Sequence, residues 1–305
     1  MPPRAARPRF RAVTALLPHQ HRAAADSGRA PPGLLMPPRC LARETPRKSI
    51  VMRERLAKIR RIHENLAMIP TCCRQDIDDA GFVVVPAVFS NEQVDAITAE
   101  LQEALAGDAT GSTLRTADGT IYGARNLIHL WPAVADVWKQ PLLVAVLKEV
   151  LGLQFGLVRV LYFNKPPEQS WALPWHKDRA IAVRDNRLSS KHFSKPTFKI
   201  GVPHVDAPDW LLETMLTLRL HLDDMTAENG PLQVLPGSHR GVSADRPPFT
   251  ILGQRGDVLL MRPLLSHSSN VSLPETTQHR RILHYEFSGI GTLPDGFAWH
   301  DFIDG

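Results

Sequence analysis

A short motif near the middle of the chain, Trp175-His176-Lys177-Asp178, holds the side chains best suited to chemistry. Residues two apart on an extended strand point to the same side, so His176 and Asp178 can bind one ion together. A second imidazole would complete a ligand set of two histidines and one carboxylate, and His267 is the candidate for it. Such a set, with open positions left on the ion, is typical of non-heme Fe(II) sites.

The His-x-Asp pattern is a weak signal by itself, because the chain contains it at His176/Asp178, at His204/Asp206 and at His221/Asp223. The second pair lies between two prolines in a polar connection, which is a poor place for a rigid ligand. The third pair ends a strand, and its histidine reads more simply as a polar residue that lines a barrel. The first pair follows a long strand and precedes a long polar segment, where an open coordination position is useful. We therefore predict that His176 and Asp178 bind the metal.

The formal charge of +5 over all 305 residues conceals an uneven distribution. Residues 1–60 contain 14 Lys and Arg against three acids, which leaves 22 basic and 28 acidic residues for the rest of the chain. Because the basic charge belongs to the N-terminal part, the remainder gives no case for a nucleic-acid-binding surface. No apolar run approaches the roughly eighteen residues that cross a bilayer, so no membrane span is expected.

The N-terminal part reads as a leader that precedes the folded domain. Residues 1–50 carry nine prolines and many arginines without helical or strand periodicity, which favours a disordered extension. An Arg-rich, acid-poor mitochondrial transit peptide is one alternative, and a true start at Met52 is another. We expect a linker helix over residues 51–71 and one domain over residues 72–305.

The three cysteines, Cys40, Cys72 and Cys73, suggest neither a disulfide framework nor a Cys-x-x-Cys metal site. This usage favours a reducing compartment. We expect a cytoplasmic protein, or a mitochondrial one if residues 1–50 are a transit peptide. Nothing in the sequence sets the oligomeric state.

Short helices followed by many strands must position the candidate residues. Ser90 opens a capping box for a helix to about Leu105, and Pro141 occupies the first position of a helix that ends at Gly152. Strands are expected over 81–86, 154–164, 215–223, 256–267 and 280–287. A tight hairpin turn is expected at Asn229-Gly230, and another turn at Pro236-Gly237. Residues 179–208 read as a long polar connection, of the kind that often serves as a lid. This order favours an α+β fold with an antiparallel barrel or double sheet.

A series of motifs follows along the chain in a characteristic order. They are Trp175-His176-x-Asp178, Leu222-Asp223-Asp224, Glu228-Asn229-Gly230-Pro231-Leu232, Pro236-Gly237-Ser238-His239, Gly256-Asp257-Val258, His267-Ser268-Ser269-Asn270 and Arg280-Arg281. Together they resemble the phytanoyl-CoA dioxygenase family over roughly residues 75–290. The resemblance implies a double-stranded β-helix, the cupin-like jelly roll, with flanking N-terminal helices. It also implies Fe(II), 2-oxoglutarate and O₂, with His176, Asp178 and His267 as the iron ligands and catalytic centre.

In that family the arginine that binds 2-oxoglutarate follows the distal histidine on the next strand, where Arg280 and Arg281 compete for the role. Strand alternation gives each arginine its own face. The face of Arg280 also carries Ile282, His284 and Glu286, and the face of Arg281 carries Leu283, Tyr285 and Phe287. The second face is more apolar and should pack beneath helices, which leaves Arg280 pointing into the barrel. A guanidinium suits the distal carboxylate because it binds bidentately and keeps its charge.

Further polar residues could line the mouth of such a barrel. Thr217, Arg219 and His221 share one face of the strand over 215–223, and leucines occupy the other. Thr217 and Arg219 are candidates for contact with the cosubstrate or another anionic group, although Arg219 could equally pair with an acid such as Glu286. The residues before the metal motif that could also face the cavity are Tyr162, Asn164 and Lys165.

The resemblance implies a hydroxylase that decarboxylates 2-oxoglutarate to succinate while it oxidises a small organic substrate. The lysines and prolines of residues 179–208 suggest that this substrate is polar or anionic. The alternative is a degenerate β-helix protein that binds a ligand or partner without turnover, since a fold alone does not fix function. A metal-dependent isomerase or hydrolase would use the same metal ligands without the arginine.

Overall fold

The computed structural model describes residues 69–167, 170–241 and 247–305. The predicted leader and most of the predicted linker helix lie outside these residues, and the domain boundaries stay a prediction. The first described helix, α1, spans Ile69–Ala80 and buries Ile69, Cys73 and Ile77. None of the helices in the described ranges combines the length and the apolar character needed to cross a membrane.

Five further α-helices occur among the described residues. The helix α2 (Asn91–Ala106) begins with the predicted capping box, in which Gln93 N donates to Ser90 Oγ at 3.3 Å and Ser90 N donates to Gln93 Oε1 at 2.8 Å. The three short helices are α3 (Leu127–Leu130), α4 (Val134–Val137) and α6 (Asp209–Leu212). The helix α5 (Pro141–Leu151) lies between α4 and α6 along the chain. It starts at its proline and is capped by Gly152, as predicted.

Within the described residues, fifteen strands form three antiparallel sheets. Their bounds are β1 Phe82–Val85, β2 Thr113–Arg115, β3 Ile121–Ala124, β4 Gly156–Lys165, β5 Leu173–His176, β6 Ala180–Ala182, β7 Ser194–Lys199, β8 Val202–Asp206, β9 Met215–His221, β10 Leu232–Val234, β11 Phe249–Thr250, β12 Val258–Met261, β13 His267–Ser269, β14 Arg280–Ser288 and β15 Ile303–Asp304. The major sheet has the order β1-β12-β9-β14-β4-β3-β2, with β15 beside β4. The minor sheet has the order β11-β10-β13-β5, and the third sheet has the order β6-β8-β7.

The chain crosses repeatedly between the two larger sheets. The strands β4, β9, β12 and β14 lie in the major sheet. Between them along the chain come the four strands of the minor sheet, β5, β10, β11 and β13, together with the three strands of the third sheet. This alternation is the double-stranded β-helix, or jelly roll. The predicted α+β fold class is confirmed.

The helices cover one face of the major sheet. One hydrophobic cluster joins Leu218 and Leu220 of β9 and Leu283 and Tyr285 of β14 to buried residues of α1, α2 and α5. Because side chains alternate along a strand, the residues between these point to the opposite face of the sheet. The polar residues of β9 and the residues that alternate with Leu283 on β14 therefore enter the interior of the β-helix.

Residues 179–208 do not form the predicted long connection. They contain the three-stranded sheet β6-β8-β7, whose register pairs Ile181 with Val205. Ile181 and Val205 are buried in a cluster with Phe297 and Trp299 from the C-terminal segment. Contact with residues so distant in sequence stabilises this sheet, and no local pattern indicates it. A lid function for this segment stays a prediction.

Two further local predictions are wrong. The Asn229-Gly230 pair does not close a hairpin, because β9 and β10 on either side of it lie in different sheets. The strand predicted over 256–267 is divided into β12 and β13 by a turn in which Leu265 N donates to Arg262 O at 3.0 Å. Pro263 within this turn has no N–H for a ladder. In neither place does the local sequence indicate which sheet the chain joins next.

Candidate active site

The minor sheet brings the two candidate histidine ligands together. The strands β5 and β13 pair antiparallel, and His176 lies directly opposite His267 in their register. Directly opposite residues present their side chains on the same face, and the two imidazole centroids are 4.2 Å apart. Asp178 follows β5, and its N–H donates to Pro263 O at 2.9 Å. The ladder and this turn thus place all three side chains in one group.

Both imidazoles present the same nitrogen to Asp178. His176 Nδ1 lies 2.8 Å from Pro174 O, and His267 Nδ1 lies 2.8 Å from Leu265 O. Because carbonyl oxygens only accept, each Nδ1 carries the proton and each Nε2 keeps its lone pair. The Nε2 atoms of His176 and His267 lie 3.8 Å and 3.6 Å from the two oxygens of Asp178. The ligand atoms all lie within 4.8 Å of one another, which allows them to bind one ion.

The three residues differ in exposure. The side chain of His267 is 3% exposed, whereas those of His176 and Asp178 are 32% and 29% exposed. Burial lowers the pKa of His267 to about 4 in spite of the neighbouring Asp178 carboxylate, so its imidazole is neutral at pH 7. Neutral imidazole is the form that binds metals. The more exposed side of the group leaves room for ligands that the protein does not provide.

The neighbouring arginines at the start of β14 have different surroundings. Arg281 makes two hydrogen bonds to Asp223, with Nε 2.9 Å from Oδ2 and Nη2 2.6 Å from Oδ1. Arg280 is 7% exposed, and its Nε is buried without a hydrogen-bond partner among the described residues. Burial, followed by the charge of Arg219, lowers the pKa of Arg280 to about 9. The structure therefore places Arg280 on the interior face and gives Arg281 a carboxylate from the protein itself.

Arg219 and Arg280 face one small interior cavity. The other residues that line it are His221, Met225, Leu232, Ile251, Leu259 and Ile282. Within the described ranges the Arg219 guanidinium has only a long contact to Met261 Sδ, at 4.0 Å. Burial lowers the pKa of His221 to about 3, so this imidazole is neutral. Thr217 lines a different cavity, which Asp178 and Glu286 also border.

Glu286 pairs with Arg159, so the suggested pairing of Glu286 with Arg219 is wrong. Arg159 lies directly opposite Glu286 in the register of β4 and β14, whereas Arg219 lies opposite His284. Arg159 Nε donates to Glu286 Oε2 at 2.9 Å, and Arg159 Nη1 lies 2.9 Å from His204 Nε2. His284 Nε2 lies 3.2 Å from Glu286 Oε1. The partner of Glu286 is determined by the strand register, which the sequence does not reveal.

Three residues before the metal motif were expected to be able to face the cavity, and of these only Lys165 enters the interior. It ends β4 and is completely buried. Its Nζ donates to Ser269 Oγ at 3.1 Å and to Asn270 O at 2.6 Å. Tyr162 belongs to the core beneath the helices, and Asn164 shares its face of β4.

The other two His-x-Asp pairs do not form comparable groups. In the third sheet, His204 contacts Arg159, and Asp206 pairs with Lys195 at 2.8 Å. At the end of β9, His221 faces the cavity while Asp223 binds Arg281. The histidine and the aspartate of each pair thus meet different partners, and neither pair has a second imidazole beside its carboxylate among the described residues.

A second group of metal-binding residue types lies closer to the surface. His129 Nε2 lies 2.9 Å from Asp301 Oδ1, and His300 Nδ1 lies 2.8 Å from Asp301 Oδ2. The side chain of His129 is 56% exposed. Each imidazole already has a carboxylate oxygen as its hydrogen-bond partner, so the cluster is complete without an ion.

Two cations near the Arg159–Glu286 pair were not singled out from the sequence. Lys199 ends β7, and the next carbonyl of the chain accepts a hydrogen bond from Asn126 Nδ2 at 3.3 Å. This bond holds the segment that contains Arg125 against the β7–β8 turn. Burial, followed by the charges of Arg159 and Arg125, lowers the pKa of Lys199, and the negative charge of Asp178 opposes this shift. A lysine in a polar segment is ordinarily predicted to be exposed to solvent, so the sequence did not indicate that Lys199 is partly buried.

A jelly roll that brings two histidines and one aspartate together in one group is typical of non-heme iron oxygenases. The chain matches the family model described as Phytanoyl-CoA dioxygenase (PhyH) over residues 77–282, which is more than half of its length. The protein belongs to the phytanoyl-CoA dioxygenase family. Its two histidines and one aspartate match the ligand set of non-heme iron oxygenases.

One curated relative is L-proline trans-4-hydroxylase of Streptomyces griseoviridis, which is 32% identical over 115 residues. The alignment covers 36% of this chain and only 34% of that protein. The residues aligned are therefore about a third of the relative's length.

Several solved structures share the fold. The epimerase SnoN from nogalamycin biosynthesis has a TM-score of 0.54 at 16% identity, and the match covers 74% of this chain and 86% of that one. EctD from S. alaskensis, solved with 2-oxoglutarate and 5-hydroxyectoine, has a TM-score of 0.54 at 19% identity, with coverage of 70% and 74%. The carbocyclase SnoK has a TM-score of 0.52 at 16% identity, with coverage of 71% and 82%. At these identities the likeness shows the fold alone.

Proposed function

We propose that this protein is an Fe(II)- and 2-oxoglutarate-dependent hydroxylase of a small substrate that carries a negative charge. The observation that carries the proposal is the group formed by His176, Asp178 and His267. Both Nε2 atoms face the carboxylate, and both Nδ1 protons are held by backbone carbonyls. Hydrogen bonds of this kind fix the tautomer and the orientation of metal-binding imidazoles.

The donor set fits a catalytic iron better than a structural metal. A structural zinc site is closed by four protein ligands, whereas this group contains three residues among those described. Two imidazoles and one carboxylate leave open positions for 2-oxoglutarate and O₂. When bound, the iron supplies the oxidation chemistry, and the protein supplies binding, orientation and exclusion of water.

We assign the distal carboxylate of 2-oxoglutarate to Arg280. Its guanidinium is buried on the interior face, and none of the described residues offers it a carboxylate. A buried charge is costly unless an opposite charge meets it, which favours an anion in this cavity. Arg219 adds a second positive charge there, and Thr217 borders the adjacent cavity. The alternative, Arg281, already binds Asp223.

The negative charge of the substrate is inferred from Arg125 and Lys199. Neither side chain forms an ion pair within the described ranges, and both are partly buried. Both cations lie near Glu286, which borders the same cavity as Asp178. The S. griseoviridis relative is named for L-proline, which carries a carboxylate, and this agrees with an anionic group at the same mouth.

The activity is tested by succinate release from 2-oxoglutarate in the presence of Fe(II). The wild-type protein should release succinate, and the variants His176→Ala and Asp178→Ala should not. His192→Ala is the matched control, because this histidine pairs with Asp295 outside the group. If neither metal nor 2-oxoglutarate raises the melting temperature of the wild type, the result favours the alternative, a β-helix protein that binds a ligand or partner without turnover.

The substrate class is tested with amino acids and other small carboxylates, each compared with its amide. Carboxylates should stimulate succinate release, and the product should be heavier than the substrate by one oxygen atom. Arg125→Met and Lys199→Met should raise the KM for the stimulating carboxylate. Lys195→Met should not, because Lys195 lies on the same strand and pairs with Asp206. Equal stimulation by the amides would contradict the inferred charge.

A further inference from the structure

Ser238, the serine of the Pro-Gly-Ser-His motif, is hydrogen-bonded to both segments that carry candidate metal ligands. It is 3% exposed. Its Oγ accepts a hydrogen bond from Ser266 N at 2.8 Å, and Ser266 immediately precedes His267. Its backbone oxygen accepts another from Lys177 Nζ at 3.1 Å, and Lys177 is the middle residue of the His-x-Asp motif. One buried residue is therefore bonded to the chain neighbours of all three candidate ligands.

Strand pairing does not hold these two segments together on the side of Asp178. The strand β5 is the edge strand of the minor sheet and ends at His176, and its partner β13 begins at His267. Asp178 and Ser266 therefore both lie beyond the end of the ladder. Single hydrogen bonds hold the chain there. Asp178 N donates to Pro263 O at 2.9 Å, and the two bonds to Ser238 add to it.

The position of Ser238 is fixed by the backbone around it. Leu235 N donates to Ser266 O at 2.9 Å, and Ser238 N donates to Leu235 O at 3.1 Å. Gly237 has a φ of +84°, which glycine adopts without strain, and its N–H donates to Ala80 O at 2.9 Å. The last bond ties the motif to the end of α1. The serine hydroxyl is therefore in place before any ion binds.

Lys177 takes part in this arrangement from the other segment. The residues on either side of it, His176 and Asp178, direct their ligand atoms toward each other. The Lys177 side chain instead reaches Ser238 O, in a partly buried position. A lysine ammonium ordinarily remains in water at the end of its flexible stem. A hydrogen bond from a charged donor is stronger than one between neutral groups, so this bond restrains the backbone between the two ligands.

We propose that Ser238 and Lys177 are positioning residues for the metal. Acting through the backbone, they set the separation between the two imidazoles and the Asp178 carboxylate before an ion binds. This inference rests on the proposed function, because it concerns the same metal-binding group. Hydrogen bonds outside the ligands commonly contribute about 10- to 100-fold to metal affinity. Loss of either bond should therefore weaken binding of the ion, and a saturating ion concentration should restore turnover.

The test measures the affinity of the full-length, metal-free protein for Ni(II) by isothermal titration calorimetry. Ser238→Ala should weaken Ni(II) binding by about 10- to 100-fold. Lys177→Met keeps the stem but removes the donor and should also weaken binding, whereas Lys177→Arg should retain it. The visible absorption spectrum of bound Co(II), which reports the ligand geometry, should change in Ser238→Ala. With Fe(II), the concentration for half-maximal succinate release should rise, while kcat at saturating Fe(II) and the KM for 2-oxoglutarate stay the same.

Ser190→Ala is the matched control for a purely structural role. Ser190 Oγ also accepts from backbone N–H groups, those of His192 and Phe193, at 2.9 Å each, and it donates to Asp295. This variant should lose thermal stability but keep the wild-type Ni(II) affinity and Co(II) spectrum. If Ser238→Ala behaves in the same way, its role is structural and the inference is overturned. If Ser238→Ala does not fold, Lys177→Met decides.

Failure of the proposed function has a different signature. In that case the wild-type protein releases no succinate, and 2-oxoglutarate does not tighten its binding of Ni(II). If the wild type does both, and Ser238→Ala and Lys177→Met bind Ni(II) as tightly as it does, the positioning role alone is wrong. A wild type that binds no Ni(II) would contradict both.

Discussion

The strands β4 and β14 bring opposite charges together at one end of their ladder and like charges at the other. At one end Arg159 lies opposite Glu286, and two hydrogen bonds join their side chains. At the other end Lys165 lies opposite Arg280, and no carboxylate joins them in the part of the chain that the structure describes. The first pair is complete within the protein, whereas the second has no anionic partner among the described residues.

Burial shifts the pKa of one residue in each pair, and the charges of its neighbours either oppose that shift or add to it. Burial by itself would raise the pKa of Glu286, but Arg159 and His284 outweigh it and lower the pKa to about 2. For Lys165, burial and the neighbouring arginines act in the same direction and lower the pKa to about 7. The pair at one end of the ladder thus stabilises the fold. We infer that the unpaired cations at the other end serve to bind a ligand.

The largest expected effect comes from breaking the complete pair. Glu286→Gln leaves Arg159 buried without its charge partner, which typically costs about 3–5 kcal/mol of unfolding free energy. Urea denaturation measures this loss directly. Asp185→Asn removes a carboxylate from an exposed arginine, Arg187, and should change stability much less. Equal losses in the two variants would show that the Arg159–Glu286 pair contributes no more than a surface pair.

Acid should have a comparable effect on the same pair. The folded-state pKa of Glu286 is about 2 against an ordinary value of 4.5, so its stabilisation is present above pH 4.5 and disappears as the pH falls toward 2. The shift corresponds to about 3 kcal/mol. The difference in unfolding free energy between wild type and Glu286→Gln should therefore shrink over this range. A difference that stays constant from pH 5 to about pH 2.5 would contradict the assignment.

At the incomplete end, Arg280→Met should reduce binding and leave the fold intact. Loss of a bidentate, charged contact should raise the KM for 2-oxoglutarate by about 10- to 100-fold. The melting temperature of the ligand-free protein should not fall, because the removed charge has no carboxylate partner among the described residues. Arg281→Met is the control, since it removes the pair with Asp223 and should leave the KM near its wild-type value. The reverse result would assign the cosubstrate to Arg281.

A separate effect on the ligand-free protein is expected at alkaline pH. The pKa of Lys165 is lowered from 10.5 to about 7 in the folded protein, so between these values the unfolded chain binds more protons than the folded one. Stability of the ligand-free wild type should therefore rise over this range relative to Lys165→Met. Saturating metal and 2-oxoglutarate should remove this rise, because the bound carboxylate favours the ammonium. Parallel stability curves for the two proteins would show that Lys165 does not titrate there.

The sequence by itself determined features that depend on a few consecutive residues. The capping box at Ser90 and the helix from Pro141 follow from local hydrogen bonding and backbone geometry. Alternation along 280–287 assigned Arg280 and Arg281 to opposite faces, and their different surroundings follow from it. The motif order named His176, Asp178 and His267 as one group before any geometry was known.

Only the tertiary structure decided which strands meet and in what register. The strand register places His176 opposite His267, and it pairs Glu286 with Arg159 instead of Arg219. Residues 179–208 became a sheet because the C-terminal segment buries their apolar side chains. These outcomes depend on contacts between buried residues that are far apart in sequence, which no local pattern predicts. The same register set Lys165 opposite Arg280, and so created the buried positive charge that a carboxylate is expected to neutralise.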